Sequence, residues 1–471
     1  MDELKKRILQ DIIGKDDVIL TESQELALSS FLDFTKSQEE LSTLLLRGSA
    51  GTGKTFLIDI FSKYLQKQGF KVILLAPTGR AAKVITQRTG RLAYTVHHHI
   101  YNVQESSIGP LFVDVKHNKA SSRTVYIVDE ASMVGDDENG AKGGLLHDIL
   151  RYVFGTDAYR KLILVGDPIQ LPPVGYADSP ALNPDTLRFD HRLTVFEADL
   201  SEIKRQDLDS TILYNANLLR QHYEENTPEA FRIETGYDLQ LLENAYDSLE
   251  TFMGYYREGD TERVVFLTYS NYQSVKVNKA IRHQLWGQEN LLVPGDMIMV
   301  VKNNYAWGDQ KKIPFLANGE MGMVKELYQD THEEKYGLEW IDAEIEFADK
   351  EGEPFLVEAK LILSLLQDKK AQVDRTTLNT IVQARRSEYM ELPPSKAAAQ
   401  LRADPYINGL QIKYGYCITG HKSQGGQWEN VIIGFEPDYG QNPQAYLRWT
   451  YTACTRASER LFLLDCPFVD S

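Results

Sequence analysis

The stretch Gly48-Ser-Ala-Gly-Thr-Gly-Lys-Thr55 decides the fold class, read with Leu44-Leu45-Leu46 before it and Phe56-Leu-Ile-Asp-Ile60 after it. The order is a buried strand, a glycine-rich turn and the first turn of a helix. Its spacing is that of a P-loop, G-x-x-x-x-G-K-[ST]. Gly48, Gly51 and Gly53 let the backbone curl so that N–H groups along Ser49, Ala50, Gly51, Thr52 and Gly53 point inward. The helix dipole adds positive potential at the same place. Lys54 then neutralises the outer phosphates of a nucleoside triphosphate, and the Thr55 hydroxyl ligates Mg²⁺.

Composition narrows the surroundings of this site. A chain of 471 residues is too long for one core and implies roughly two to four domains. No apolar run approaches the ~20 residues that span a bilayer, and the charged start Met1-Asp-Glu-Leu-Lys-Lys-Arg lacks a signal-peptide core. Cys417, Cys454 and Cys466 have no metal-ligand or C-x-x-C spacing, which fits free thiols in the cytoplasm. The formal charge of −16 argues against a generic basic nucleic-acid coat. It leaves room for a strand held in a narrow channel, where local groups decide affinity.

Working outward, Thr21-Glu-Ser-Gln24 is a helix N-cap pattern. Gln24 is either the back-bonding member of a capping box or an amide that reads an adenine edge. Lys71–Ala76 predicts a second parallel strand, ending in Pro77-Thr78-Gly79-Arg80 on the rim where a doubly wound sheet holds its ligands. The three histidines of Thr95-Val-His-His-His-Ile100 are consecutive and cannot all face one metal ion. Residues 101–122, with a Gly109-Pro110 turn and alternation in Leu111–Val115, predict a projecting β-hairpin. Thr124–Val128 delivers Asp129-Glu130, a pair suited to hold Mg²⁺ through water (Asp129) and to polarise an attacking water (Glu130). Lys161–Val165 leads into the stiff loop Gly166-Asp-Pro-Ile-Gln170-Leu-Pro-Pro-Val-Gly175. There Gln170 either senses a γ-phosphate or is part of a rigid connection. Residues 190–204 read as a crossing between two halves, and a helical stretch runs from Glu202 to Arg220.

A second core is expected from the strand at 263–268 and the helix after it. Residues 291–362 change to short antiparallel strands, a small β-barrel insertion. Residues 363–403 are helical with a break at Pro393-Pro394. The core resumes with Gln411–Ile418 and continues through Thr419–Gly425, Val431–Phe435, Arg448–Ala457 and Leu461–Leu464.

In this order the set resembles the superfamily-one DNA helicases of the RecD-like and Dda-like, 5′-to-3′ branch. The matching motifs are Gln24, Gly48–Thr55, Ala76–Arg80, Asp129–Met133, Gly166–Gln170, Arg205-Gln206, Asn303 with Asn318-Gly319, Thr419–Gly425 and Tyr451–Arg456. The resemblance implies an α/β fold of two RecA-like P-loop cores, parallel sheets flanked by helices. A small β-hairpin would be inserted in the first core, and a β-barrel plus helical subdomain in the second. The boundaries are 1–200 for the first core, 201–290 and 405–471 for the second, and 291–404 for the insertion.

By resemblance, ATP with Mg²⁺ would sit between the cores. Arg205 and Arg456 would act as arginine fingers beside Lys54, Glu130 and Gln170, Gln24 would read the adenine, and Gly425 would line the nucleotide. Thr55 and Asp129 would hold the metal. Single-stranded DNA would meet Pro77, Thr78, Thr95 and His97 on one core and Thr419, His421, Lys422 and Ser423 on the other. Such hydroxyls, amides and one lysine suit phosphates without reading sequence. Phe112 in the hairpin is the candidate wedge at a single-strand/duplex junction, against the alternative of an ordinary hairpin core residue. The function implied is ATP-driven 5′-to-3′ unwinding by a monomer, with no obligate protein partner and no membrane. The nearest alternative is a DNA-stimulated translocase that strips proteins from single strands and unwinds little.

Overall fold

The computed structural model describes residues 20–104, 112–136, 144–202, 210–287, 290–304, 306–307, 316–349, 352–437 and 442–469. The expected N-terminal helix and Arg205-Gln206 lie outside them. The chain divides into two compact units. One comprises Met1–Tyr101, Val115–Phe231 and Gln444–Thr455, and the other Asn102–Asp114, Arg232–Pro443 and Arg456–Ser471.

The first unit is built on a six-stranded sheet. Its strands are β1 (Ser42–Gly48), β2 (Lys71–Ala76), β3 (Ala93–Thr95), β6 (Thr124–Val128), β7 (Lys161–Gly166) and β8 (Thr194–Leu200). The hairpin strands β4 (Tyr101–Gln104) and β5 (Phe112–Val115) pair separately. The sheet order is β3-β2-β6-β7-β1-β8, parallel throughout. β6 and β7 are buried at every residue, as expected of strands covered by helices on both faces. One face packs Phe31, Phe61 and Leu65 against Leu44, Leu46 and Ile163, and the other packs Ile149 and Val153 against Leu45, Leu162 and Leu164. Phe31 and Phe61 stack with centroids 3.9 Å apart.

The segment read as a crossing, 190–204, contains β8. It pairs with β1 along its whole length, from Ser42↔Thr194 to Gly48↔Leu200. Parallel pairing lets Ala198 and Leu200 reach the core of the first sheet, so this stretch completes the sheet before the chain leaves it.

The second unit has a five-stranded parallel sheet in the order β16-β10-β17-β18-β9. These strands are β9 (Leu239–Leu242), β10 (Val264–Thr268), β16 (Cys417–Thr419), β17 (Trp428–Gly434) and β18 (Ala457–Leu464). A closed barrel of β11 (Met297–Val300), β12 (Met321–Lys335), β13 (Leu338–Ala348), β14 (Pro354–Ile362) and β15 (Leu410–Tyr414) belongs to the same unit. The helices Arg375–Glu388 and Pro394–Ala403 lie between β14 and β15, and Pro393 caps the second of them.

Gln411–Ile418 is expected in the second core, and the structure divides it between barrel and sheet. Leu410–Tyr414 closes the barrel, antiparallel to β11 and parallel to β14, while Cys417–Thr419 joins β10 in the sheet. The hinge is Gly415, where an added Cβ would lie 2.9 Å from the Met297 side chain. No larger residue fits so close an approach of backbone to packed side chain.

Candidate functional site

In the first unit β2, β6, β7 and β1 are neighbours and parallel, so the turns after them share one rim. The P-loop follows β1, Asp129-Glu130 follows β6 and the Gln170 loop follows β7. The P-loop helix Lys54–Lys67 begins behind Gly53, whose φ is +90°, and an added Cβ there would lie 2.6 Å from Gln24 Nε2. Lys54 Nζ folds back over the loop and donates to the carbonyls of Gly48 (2.7 Å) and Ser49 (3.0 Å). The Thr52 hydroxyl donates to Ser49 O at 2.8 Å. These contacts hold the loop in a curl around the position of an anion.

Gln24 is wholly buried and engaged at both ends of its amide. Oε1 accepts from Thr21 N at 3.2 Å, completing the capping box of helix Glu22–Lys36. Nε2 donates to Thr52 O at 2.9 Å. The capping reading is therefore realised, with a tie to the P-loop that the sequence pattern did not disclose.

Asp129 N donates to Leu75 O at 2.9 Å, and the Asp129 carboxyl accepts from Glu130 N at 2.9 Å. Burial, reinforced by the Glu130 charge, pushes the Asp129 carboxyl well above the usual carboxylate range, and Lys54 pulls it the other way. A buried carboxyl beside a second one is a group that a bound cation would ionise. The Asp129 carboxyl and the Thr55 hydroxyl are both oxygen donors, the donor type that Mg²⁺ takes. Glu130 has φ +52°, a left-handed backbone that costs a non-glycine residue about 1–3 kcal/mol and recurs at functional positions.

The loop after β7 is fastened by helix Pro443–Cys454, which belongs to this unit. Arg448, Tyr451 and Thr452, at i, i+3 and i+4, share the face that does this. The buried Arg448 guanidinium donates to the carbonyls of Pro168 (2.6 Å), Ile169 (3.2 Å), Gln170 (2.9 Å) and Ala177 (2.6 Å), and to Asp178 Oδ1 (3.0 Å). Thr452 Oγ1 accepts from Leu171 N at 3.0 Å. The Tyr451 hydroxyl donates to Asp167 Oδ2 at 2.6 Å and accepts from the P-loop amide Ala50 N at 2.9 Å. One phenol thus bridges the P-loop and the Gln170 loop. Sequence reasoning assigned none of the three a role, although Tyr451 and Thr452 lie in the matched motif Tyr451–Arg456 and the i, i+3, i+4 spacing with Arg448 was the signal available.

Among the nucleic-acid candidates, Thr78 and Thr95 stand at the ends of β2 and β3 and cap the helices that follow. Thr78 Oγ1 accepts from Ala81 N and Thr95 Oγ1 from His98 N, both at 3.2 Å. Pro77 precedes the first cap. The three histidines diverge: His97 packs near Tyr101, His98 stacks on Tyr94, and His99 meets Tyr126 and Tyr152. Burial pushes His97 down and His99 down to about 4. Phe112 lies in β5, and its side chain is outside the described residues.

In the second unit, Thr419 ends β16 and is buried. The wholly buried Ser423 donates to Gly420 O at 2.7 Å, so its hydroxyl braces the loop from inside. His421 is pushed down by burial, and Lys422 is pushed down to about 8 by burial and the neighbouring Lys413. Both lysines line a small, partly open pocket with Asn271, Ser274 and Asn278. Gly425 takes a left-handed φ of +71°. Arg456 is buried and donates from Nη1 to Gly426 O at 3.2 Å.

Comparison with known proteins adds to this geometry. Residues 20–233 match the AAA domain family, and residues 414–464 match the UvrD-like helicase C-terminal domain. The chain is similar to the ATP-dependent RecD2 DNA helicase of Deinococcus radiodurans, 34% identical over 131 residues that cover 28% of this chain and 16% of that protein. It is similar to the ATP-dependent DNA helicase dda of Enterobacteria phage T4, 27% identical over 192 residues that cover 40% of each chain. It therefore aligns with less than half the length of either relative. A Pif1 helicase from Bacteroides, in complex with ADP-AlF3 and ssDNA, aligns over 96% of this chain and 94% of its own at 17% identity, with a TM-score of 0.49. Among the described residues no helix is long and apolar enough to cross a membrane.

Proposed function

This chain belongs to superfamily 1B of the helicases, and from that premise we propose an ATP-driven motor that moves 5′-to-3′ on single-stranded DNA and separates duplex at a junction. The observation that carries the reading is the shared rim of the first sheet. There the curled P-loop, the Asp129-Glu130 pair and the fastened Gln170 loop lie on adjacent parallel strands. Lys54, released from the Gly48 and Ser49 carbonyls, neutralises the outer phosphates. Glu130, placed by its left-handed backbone, orients and deprotonates the attacking water. Gln170 is proposed to sense the terminal phosphate, and Arg205 and Arg456 to stabilise charge on the transferring phosphoryl group. Mg²⁺, held by Thr55 and Asp129, supplies charge neutralisation when bound.

Thr78, Thr95, His97, Thr419, His421 and Lys422 are proposed to contact the strand, with backbone amides doing what few formal charges do on so acidic a chain. Movement requires grip to alternate with nucleotide state, because equal affinity in every state shifts nothing.

Matched duplexes carrying only a 5′ or only a 3′ single-stranded tail test the proposal, with ATP turnover recorded in parallel and Glu130→Gln as the inactive control. Unwinding of the 5′-tailed duplex alone supports it. DNA-stimulated turnover without unwinding would make the chain a translocase, and a preference for the 3′ tail would overturn the polarity.

A further inference from the structure

Helix Thr211–Glu224 brings a cation to the P-loop that none of the motifs contains. The helix is set by its buried face, Ile212, Ala216 and Leu219, and by the Ser210 cap. Arg220 follows Leu219, with Nη1 3.3 Å from the Ser49 hydroxyl and 3.5 Å from Ser201 O. Nε is buried with no hydrogen-bond partner in the described structure, and the nearest ion-pair oxygen, on Glu224, is 3.8 Å away. A guanidinium offers five N–H donors in a planar fork. Here two long contacts engage one nitrogen, and the rest of the fork stands beside a loop built to wrap phosphates.

The location selects which phosphate. Ser49 is on the strand side of the loop, and its carbonyl receives Lys54 Nζ, the group that meets the outer phosphates. Arg220 is therefore at the outer end of the nucleotide, away from the amides at the start of helix Lys54–Lys67.

We infer that Arg220 is a direct ligand of the terminal phosphate, so that the first unit distinguishes a nucleoside triphosphate from a diphosphate with its own arginine. This rests on the ATP reading above. A bound γ-phosphate takes the place of the Ser49 hydroxyl as acceptor, and the fork gains the bidentate partner it lacks. After hydrolysis that partner leaves, and Arg220 returns to Ser49.

Equilibrium binding of fluorescent ADP and of a fluorescent non-hydrolysable ATP analogue, with Mg²⁺, tests this on the full chain and on Arg220→Gln and Arg220→Lys. A charge-assisted contact corresponds to about a tenfold or greater change in affinity. The expected result is that Arg220→Gln weakens the triphosphate analogue by about tenfold or more and leaves ADP within about twofold, and that Arg220→Lys does not restore it. Equal weakening of both nucleotides, or no weakening, would overturn the assignment. If Arg220→Gln does not fold, Arg220→Lys decides alone: full triphosphate affinity would refute a requirement for the fork. An unaltered chain that binds neither nucleotide would overturn the ATP reading itself.

Discussion

Replacing Tyr451 by Phe removes one oxygen atom and no packing volume, which isolates the bridge between the P-loop and the Gln170 loop. Tyr451 and Asp167 are both almost fully excluded from solvent, at 1% and 0% exposure, so water cannot replace the 2.6 Å bond between them. Asp167 keeps the Ile169 amide on its other oxygen. Stranding a buried oxygen costs about 1–3 kcal/mol. The Ala50 amide, at a partly exposed residue, loses a bond worth at most about 1 kcal/mol. The sum, about 1–4 kcal/mol, corresponds to a fall of roughly 2–16 °C in the melting transition of a unit this size.

Calorimetry on the unaltered chain, Tyr451→Phe, Asp167→Asn and the double variant measures it. Residues that share one bond are not additive, so the double variant is expected to melt close to the worse single one. A Tyr451→Phe transition within 1 °C of the unaltered chain, or losses that add in full, would refute the bridge as a contributor to stability.

Three further outcomes are expected. Gly53→Ala places a Cβ at a φ of +90° and 2.6 Å from Gln24 Nε2, so nucleotide binding falls below detection while the far-UV circular dichroism stays native. Arg448→Met leaves four loop carbonyls without their donor, and limited proteolysis is expected to cut between 168 and 178 at a rate that the unaltered chain does not show. His99 is held down at about 4 against an ordinary 6.5, by burial first and then by the charges of Lys116 and neighbouring groups. The stability it contributes is complete above pH 6.5 and is lost as the pH falls toward 4. Between pH 7 and pH 5 the loss is about 2 kcal/mol, which urea titrations should show in the unaltered chain and not in His99→Phe.

Phosphate chemistry was legible in the sequence because it is local. The amides of the curled loop, Lys54 and the Thr55 hydroxyl are contiguous between Gly48 and Thr55, and backbone spacing alone predicts their convergence. The apolar runs that end in Ala76, Val128 and Val165 likewise placed the ends of β2, β6 and β7 on one rim, since buried parallel strands between helices share direction. The capping box of Thr21 and Gln24 was within reach for the same reason, its partners being three residues apart.

What remained hidden depends on which surfaces meet, and periodicity shows only that a helix has a buried face. Nothing local in Thr211–Glu224 says that Arg220 ends at Ser49, 171 residues earlier in the chain, or in Pro443–Cys454 that Tyr451 reaches Ala50, 401 residues away. Gln411–Ile418 reads as part of the second core, and only tertiary pairing divides it at Gly415, with Leu410–Tyr414 bonded into the barrel and Cys417–Thr419 into the sheet. The loop that grips a phosphate was thus determined by consecutive residues, while the groups that steady it and face its outer end were decided by long-range packing.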